Sequence, residues 1–356
     1  MRFTGLFSSA LVAALSLTTG LASAAPETET AEAFLNQHVQ VISAFAPQTT
    51  AISSPTGRIA GRGQPASYGR GAVEPDFRGM VKLSMRYEIG GGKILTEHCG
   101  GSVINSRWIV TAAHCIKPED GSRWNRIDIT TGDRNLDGVG TIQRRAYNAI
   151  IHSGFDFPTL TNDIALIRLK EPLPRTVVPA RLDRGETPSV QAGQILRTAG
   201  WPITGMKAGQ RRLQTTDVSV TDASFHGYIT VSSARGDVEG VCQGESGGPL
   251  ISPTAIGAQL VGVLSGIEPH TRNSSGEPCM VSGYEMYFTP IASHLPWIDR
   301  VVEACSARPN SCTSRPATTY VSRQYPLHPI RETATFSGDL SAATHRSREV
   351  EEVSTQ

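Results

Sequence analysis

An all-β chain closing on a single C-terminal helix is the fold class this sequence predicts, and three observations predict it. The chain carries 35 glycines and 22 prolines in 356 residues, so turns are frequent, which suits many short strands better than long helices. Apolar runs of strand length recur from about residue 80 onward. Helical spacing of apolar residues stands out once, near residue 300.

The elements follow in order. Ser102-Val103-Ile104, a turn at Asn105-Ser106, and Trp108-Ile109-Val110-Thr111 read as two strands of a hairpin. Asp163-Ile164-Ala165-Leu166-Ile167-Arg168-Leu169 reads as a strand with both faces mostly apolar. Leu260-Val261-Gly262-Val263-Leu264 is another. Pro296 fits the first turn of the terminal helix, after which Trp297, Ile298, Val301, Val302 and Cys305 form a stripe at three- and four-residue spacing.

The two ends differ from this pattern. Arg2, an apolar run (Leu11, Val12, Ala13, Ala14, Leu15, Leu17) and Ala22-Ser23-Ala24 describe a secretory signal peptide over residues 1–24. Residues 25–58, rich in Ala, Thr, Glu, Ser and Pro, read as a pro-segment or linker. The Ser, Thr, Arg, Glu and Pro composition of 306–356 reads as a flexible or processed tail. A net charge of +1 argues against a nucleic-acid or membrane-surface protein, which carries a strong basic bias. The six cysteines, an even number in an exported chain, read as disulfides whose connectivity composition alone leaves open.

Gly244-Glu245-Ser246-Gly247-Gly248-Pro249 carries the chemistry. Glycines let the chain turn with positive φ and let a substrate approach the main chain. A serine there can attack a carbonyl while neighbouring N–H groups hold the oxyanion. By itself the string also fits the nucleophile elbow of α/β-hydrolases. A serine hydroxyl needs a base, and the base an orienting acid. Among nine histidines, His114 is set apart by Thr111-Ala112-Ala113-His114-Cys115, where small residues leave room for an imidazole. Asp163 opens a strongly apolar strand, where an unpartnered carboxylate would be costly.

With these residues in hand, the chain resembles the trypsin/chymotrypsin family of serine endopeptidases. The resemblance rests on His98-Cys99-Gly100-Gly101-Ser102-Val103-Ile104, on Trp108 to Cys115, on Asn162 to Leu169 and on Gly244 to Leu250. It spans about residues 59–302, and the order His, Asp, Ser is the family's. An α/β-hydrolase needs the opposite order and a helix directly after the serine. The resemblance implies two six-stranded antiparallel Greek-key β-barrels with a C-terminal α-helix, in a protease domain over 59–305. It implies Ser246 as nucleophile, His114 as general base then acid, and Asp163 as the residue fixing the histidine tautomer. The N–H groups of Gly244 and Ser246 would form the oxyanion hole. Ser265 matches the serine beside the buried aspartate; with Gly240, Gln243 and Ile267 it makes up the substrate-binding candidates. Cys99–Cys115 would staple the histidine loop and Cys242–Cys279 the specificity pocket; Cys305–Cys312 rests on proximity and elimination.

Three departures qualify the resemblance. Glu245 stands where the family has aspartate, the acid that pairs with the amine freed by zymogen cleavage; glutamate adds a methylene. Arg58-Ile59-Ala60-Gly61 matches the family's cleavage site only in part, making Ile59 the candidate mature N-terminus. Gly240 occupies the position where trypsins carry aspartate, so a small or medium apolar side chain is expected before the scissile bond, with Ile267 narrowing the pocket mouth and Met286 near another wall.

The expected function is therefore a secreted serine endopeptidase, extracellular or periplasmic, made as a zymogen. The alternative is a weak or inactive homologue serving as a secreted binding protein. Expected partners are protein or peptide substrates and a protease activator or inhibitor, with no nucleic acid, no membrane after signal removal, and a monomeric state. No cofactor and no metal is expected, Asp133 and Asp137 being too thin an acidic cluster for calcium. His98, His152 and His270 are assigned no role.

Overall fold

The computed structural model describes residues 39–42, 75–90, 93–117, 124–185, 190–201, 212–233, 244–254, 257–267, 285–307, 312 and 347–352. Two closed barrels of six antiparallel strands account for most of them. The first comprises β2 (Met80–Gly90), β3 (Lys93–Asn105), β4 (Trp108–Thr111), β5 (Arg126–Thr131), β6 (Ile142–His152) and β7 (Ala165–Leu169). Their order is β6-β5-β2-β3-β4-β7, and a β6–β7 pairing closes the ring. The second comprises β9 (Ile195–Gly200), β10 (Gln214–Phe225), β11 (Tyr228–Ser233), β12 (Pro249–Ser252), β13 (Gln259–Ile267) and β14 (Glu285–Pro290). It runs β12-β9-β10-β11-β14-β13 and closes through β12–β13. In each, the fourth strand returns beside the first (β5 beside β2, β12 beside β9), the Greek-key order.

Three short strands extend the barrels. β8 (Arg181–Leu182) runs parallel to β13. β1 (Val39–Ile42) pairs with the end of β6, and β15 (Ser347–Glu352) pairs antiparallel with Lys93–His98 of β3. The sequence reading places no strand in either flanking segment. β4 pairs with β3 only from Ser102 onward, which leaves the earlier half of that edge to β15. Backbone pairing along an open edge needs no apolar period.

The barrels bury two apolar clusters, the larger of which extends from the first barrel to Ala199, Ile251, Leu260 and Val263 of the second and to the terminal helix. Leu83, Met85, Ile109, Ile127, Ile129 and Ile150 sit in the first, each at most 1% exposed. Val218, Val231, Leu250, Val261, Met286 and Phe288 fill the second. Full burial of such a side chain contributes about 1.5–3 kcal/mol, so closing each ring is strongly favoured.

The terminal helix, α2, spans Ile291–Ala307; α1 is the four-residue Ala113–Ile116. The apolar stripe of α2 is as expected, with Ile291, Trp297, Ile298, Val301, Ala304 and Cys305 buried. Its start is not, because Pro296 lies inside the helix rather than at its opening. Five helical residues precede the proline, whose ring nitrogen removes the one intrahelical bond that would go to the Ala292 carbonyl. The Cys305–Cys312 disulfide follows the helix, and Asn148 of β6 donates to the Cys312 carbonyl. Cys242 and Cys279 lie outside the described residues.

Candidate active site

The histidine is delivered by the end of β4. After Thr111 the chain stays extended at Ala112 (φ −75°, ψ 146°) and turns into α1, carrying His114. Ala112, Ala113 and His114 are all 0% exposed, so this turn is buried throughout. The Cys99–Cys115 disulfide ties α1 to β3.

The acid arrives from a strained turn. Leu160 and Asn162 both adopt left-handed backbone (φ 54° and 53°). Ile164 N–H donates back to the Asn162 carbonyl at 2.7 Å, a three-residue turn centred on Asp163. The strand therefore begins at Ala165, two residues later than the apolar run suggests. Asp163 is 0% exposed and fully engaged. Its Oδ1 accepts from His114 N–H at 2.8 Å, and its Oδ2 lies 2.7 Å from His114 Nδ1. Oδ2 also accepts from Ser265 Oγ at 2.6 Å. Thr289 Oγ1 donates to the Asp163 carbonyl at 3.1 Å. A carboxylate holding this many donors stays buried at low cost. With Nδ1–H pointed at Asp163, Nε2 of His114 is the nitrogen left to take a proton.

The serine comes from the second barrel and seats against the first through glycine. Gly244 and Gly247 have φ of +88° and +79°, open to glycine but strained for other residues. A Cβ on Gly247 would collide with Thr111 Oγ1 and come within 2.6 Å of the Gly100 carbonyl. Gly100 N–H donates to the Ser246 carbonyl at 2.7 Å. Gly247 N–H bonds Leu264 O at 2.8 Å, and Leu264 N–H returns to Gly248 O at 2.9 Å. Cys115 Sγ lies 3.6 Å from the Ser246 carbonyl and 3.8 Å from His114 Nε2. Ser246 is 0% exposed.

Glu245, 4% exposed, lies against Gly200, where any Cβ would overlap its carboxylate. Ser265 lies beside the buried aspartate, its hydroxyl on Asp163 Oδ2. Ile267 (1% exposed) pairs with Met286 across β13 and β14, and both belong to the second barrel's core. Gly240 and Gln243 fall outside the described residues. Asp133, considered for calcium, accepts from Asn135 N–H (2.9 Å) and Gly140 N–H (3.2 Å) as a loop-bracing residue. Among the described residues, Cys99, His114 and Cys115 are close enough together to suggest a metal, but the two sulfurs are spent in a disulfide.

Sequence reading missed Tyr228, Asn162 and His294. Tyr228 OH donates to the Thr159 carbonyl at 3.1 Å. Burial pushes its phenol well above the ordinary range; the Asp163 charge adds to this and a bond with Ser265 opposes it. His294 Nε2 is 3.3 Å from Asn162 Oδ1. Its one sequence signal is a place on the buried face of α2, three residues before Trp297.

A family model described as Trypsin matches residues 68–298. Serine protease 1 of Homo sapiens is 30% identical over 223 residues, 58% of this chain and 81% of its own length. Cationic trypsin-3 of Rattus norvegicus is 32% identical over 222 residues (58% and 80%). Trypsin of Sus scrofa is 31% identical over 224 residues (59% and 87%). No helix among the described residues is long and apolar enough to cross a membrane.

Proposed function

The chain belongs to the trypsin family of serine endopeptidases, and on that premise we propose that it cleaves protein substrates through an acyl-enzyme on Ser246. The buried His114–Asp163 pair, with the serine loop seated against it, is the observation that carries the reading. Ser246 Oγ attacks the scissile carbonyl carbon as its proton passes to His114 Nε2. The carbonyl π electrons move onto oxygen, held by the N–H groups of Gly244 and Ser246. Collapse of that intermediate breaks the C–N bond, and His114 returns the proton to the leaving amine. Water then attacks the ester by the same route, with Asp163 ionised throughout.

The precursor is a secreted zymogen in this reading. The partial match of Arg58-Ile59-Ala60-Gly61 to the family's cleavage site, with an acid at Glu245 to meet the freed amine, supports it. Activation is assigned to cleavage before Ile59, and an amine freed there pairs with Glu245. The pocket takes a small or medium apolar side chain, because Gly240 offers no charge to Arg or Lys.

Fluorophosphonate labelling of the processed, secreted protein tests the core claim, with labelling expected on the parent and none on Ser246→Ala. A labelled Ser246→Ala, or an unlabelled processed parent, overturns it. A peptide panel favouring Arg or Lys would remove the pocket assignment alone.

A further inference from the structure

The strand β15 and the nucleophile's loop share one edge of β3. β2 runs along the other edge without a register shift from Ile94 to Ser102, so the β3 backbone alternates regularly and residues two apart face the same way. Gly100 faces the edge opposite β2. Its N–H donates to the Ser246 carbonyl at 2.7 Å, and its carbonyl accepts from Thr111 Oγ1 of β4 at 2.8 Å. His98, Thr96 and Ile94 therefore face that edge as well, where they pair with Ser347, Glu349 and Glu351. From Ser102 onward β4 takes over. The partners along this edge thus run β15, Ser246, β4.

Position and direction both bear on the reaction. Two residues of extended chain span about 7 Å, so the Ser347 backbone is next in line to the nucleophile's own carbonyl. β15 is antiparallel to β3, with Ser347 opposite His98 and Glu352 opposite Lys93. It starts at the reaction centre and leads away from it. The next residue of β3, Cys99, is tied by its disulfide to Cys115 on the short helix that carries His114. An extended peptide held at Ser246 has this same edge to pair with, because an open strand edge offers its N–H and carbonyl groups to any chain laid along it. While β15 is docked, those groups are taken.

We propose that Ser347–Glu352 is an intramolecular inhibitor of the protease site, pairing with Lys93–His98 where one arm of a protein substrate lies when its scissile bond is at Ser246. The proposal rests on the acyl-enzyme reading above. A tethered strand competes at a fixed effective concentration, so the inhibition does not dilute away. It blocks binding and leaves the chemistry untouched. The apparent KM therefore rises by the reciprocal of the undocked fraction, and kcat is unchanged. Glu349 is the place to test this, because its N–H faces Thr96 across the ladder. Proline there removes the donor; glutamine keeps it and removes only the charge.

The experiment measures kcat and KM per fluorophosphonate-titrated site on a long peptide extending to both sides of the cleaved bond. It uses processed, secreted protein whose C-terminal end is read by mass spectrometry. Glu349→Pro is expected to lower KM about threefold or more, the worth of one ladder bond, with kcat within about twofold. Glu349→Gln should match the parent. The free peptide Ser-Arg-Glu-Val-Glu-Glu, at millimolar concentration, should raise KM again in Glu349→Pro protein, and its proline counterpart should not. With residues 347–352 present, equal KM in the parent and Glu349→Pro, or an equal drop in Glu349→Gln, overturns the proposal. Where maturation has removed those residues the free peptide decides, and a peptide that leaves KM unchanged overturns it. Failure of the processed parent to label overturns the acyl-enzyme reading instead, and this inference with it.

Discussion

Glu245 rests on the bare Cα of Gly200. A Cβ there would overlap the glutamate carboxylate and come within 2.5 Å of its Cγ. The longer acid that departs from the family pattern is thereby accommodated at the end of β9, in a place that a side chain at 200 would fill. Because Cγ is involved as well as the carboxylate, swinging the carboxylate alone does not clear the clash.

Gly200→Ala is therefore expected to displace Glu245 and with it the adjacent oxyanion donors. Losing one such donor costs about 10²–10³-fold in rate, and the fluorophosphonate labelling rate should fall by a similar factor. Adding Glu245→Asp, which withdraws a methylene, should recover much of that loss. A Gly200→Ala protein labelling as fast as the parent would remove the link between this contact and the oxyanion hole.

Ser265 gives a second, separable outcome. Its hydroxyl donates to Asp163 Oδ2 at 2.6 Å, and a hydrogen bond to a charged acceptor contributes about 1.5–3 kcal/mol. Ser265→Ala should lower kcat by about tenfold or more while KM moves little, because in the proposed mechanism Asp163 acts on the base and not on the substrate. A rise in KM at constant kcat would instead assign Ser265 to substrate binding.

Asp163→Asn tests the tautomer argument directly. An amide in this place can turn its NH₂ toward Nδ1, which puts the imidazole proton on Nε2, where it cannot accept from Ser246. The serine-protease template, drawn from this family, loses about 10⁴-fold in kcat on that change. Steady-state kinetics should show a loss of that order with folding intact. A loss under tenfold would mean that Asp163 does not set the tautomer.

How much of this was legible in sequence follows from the physics of each part. Gly100, Ala112, Ala113 and Gly247 could be read because close backbone approach excludes side chains, and that exclusion leaves a local string. The two barrels were legible only through the motifs they carry: short strands show period and turns but not which edge meets which. β1 and β15 pair with edges of β6 and β3, partners that composition does not name. Glu245 was legible as a departure from the family pattern, but its seat on Gly200, 45 positions away at the end of β9, was not. His294 was hidden by its own position, since an imidazole on the buried stripe of α2 reads as packing alone.

His294 also makes stability depend on acidity. Burial lowers its pKa from the ordinary 6.5, with the Pro290 bond and the Asp163 charge opposing that effect. The sign follows from proton counting: as pH falls below about 6.5, the unfolded chain takes a proton that the folded one refuses. The stability held by the neutral buried ring is thus complete above about 6.5 and is lost as pH falls toward the lower folded value. His294→Gln does not titrate there, so its melting temperature should decline less between about pH 7 and pH 5 than the parent's. Thermal melts of Ser246→Ala protein, with and without His294→Gln, check this free of self-digestion. Parallel curves across that window would show that His294 keeps its ordinary affinity for the proton in the folded chain.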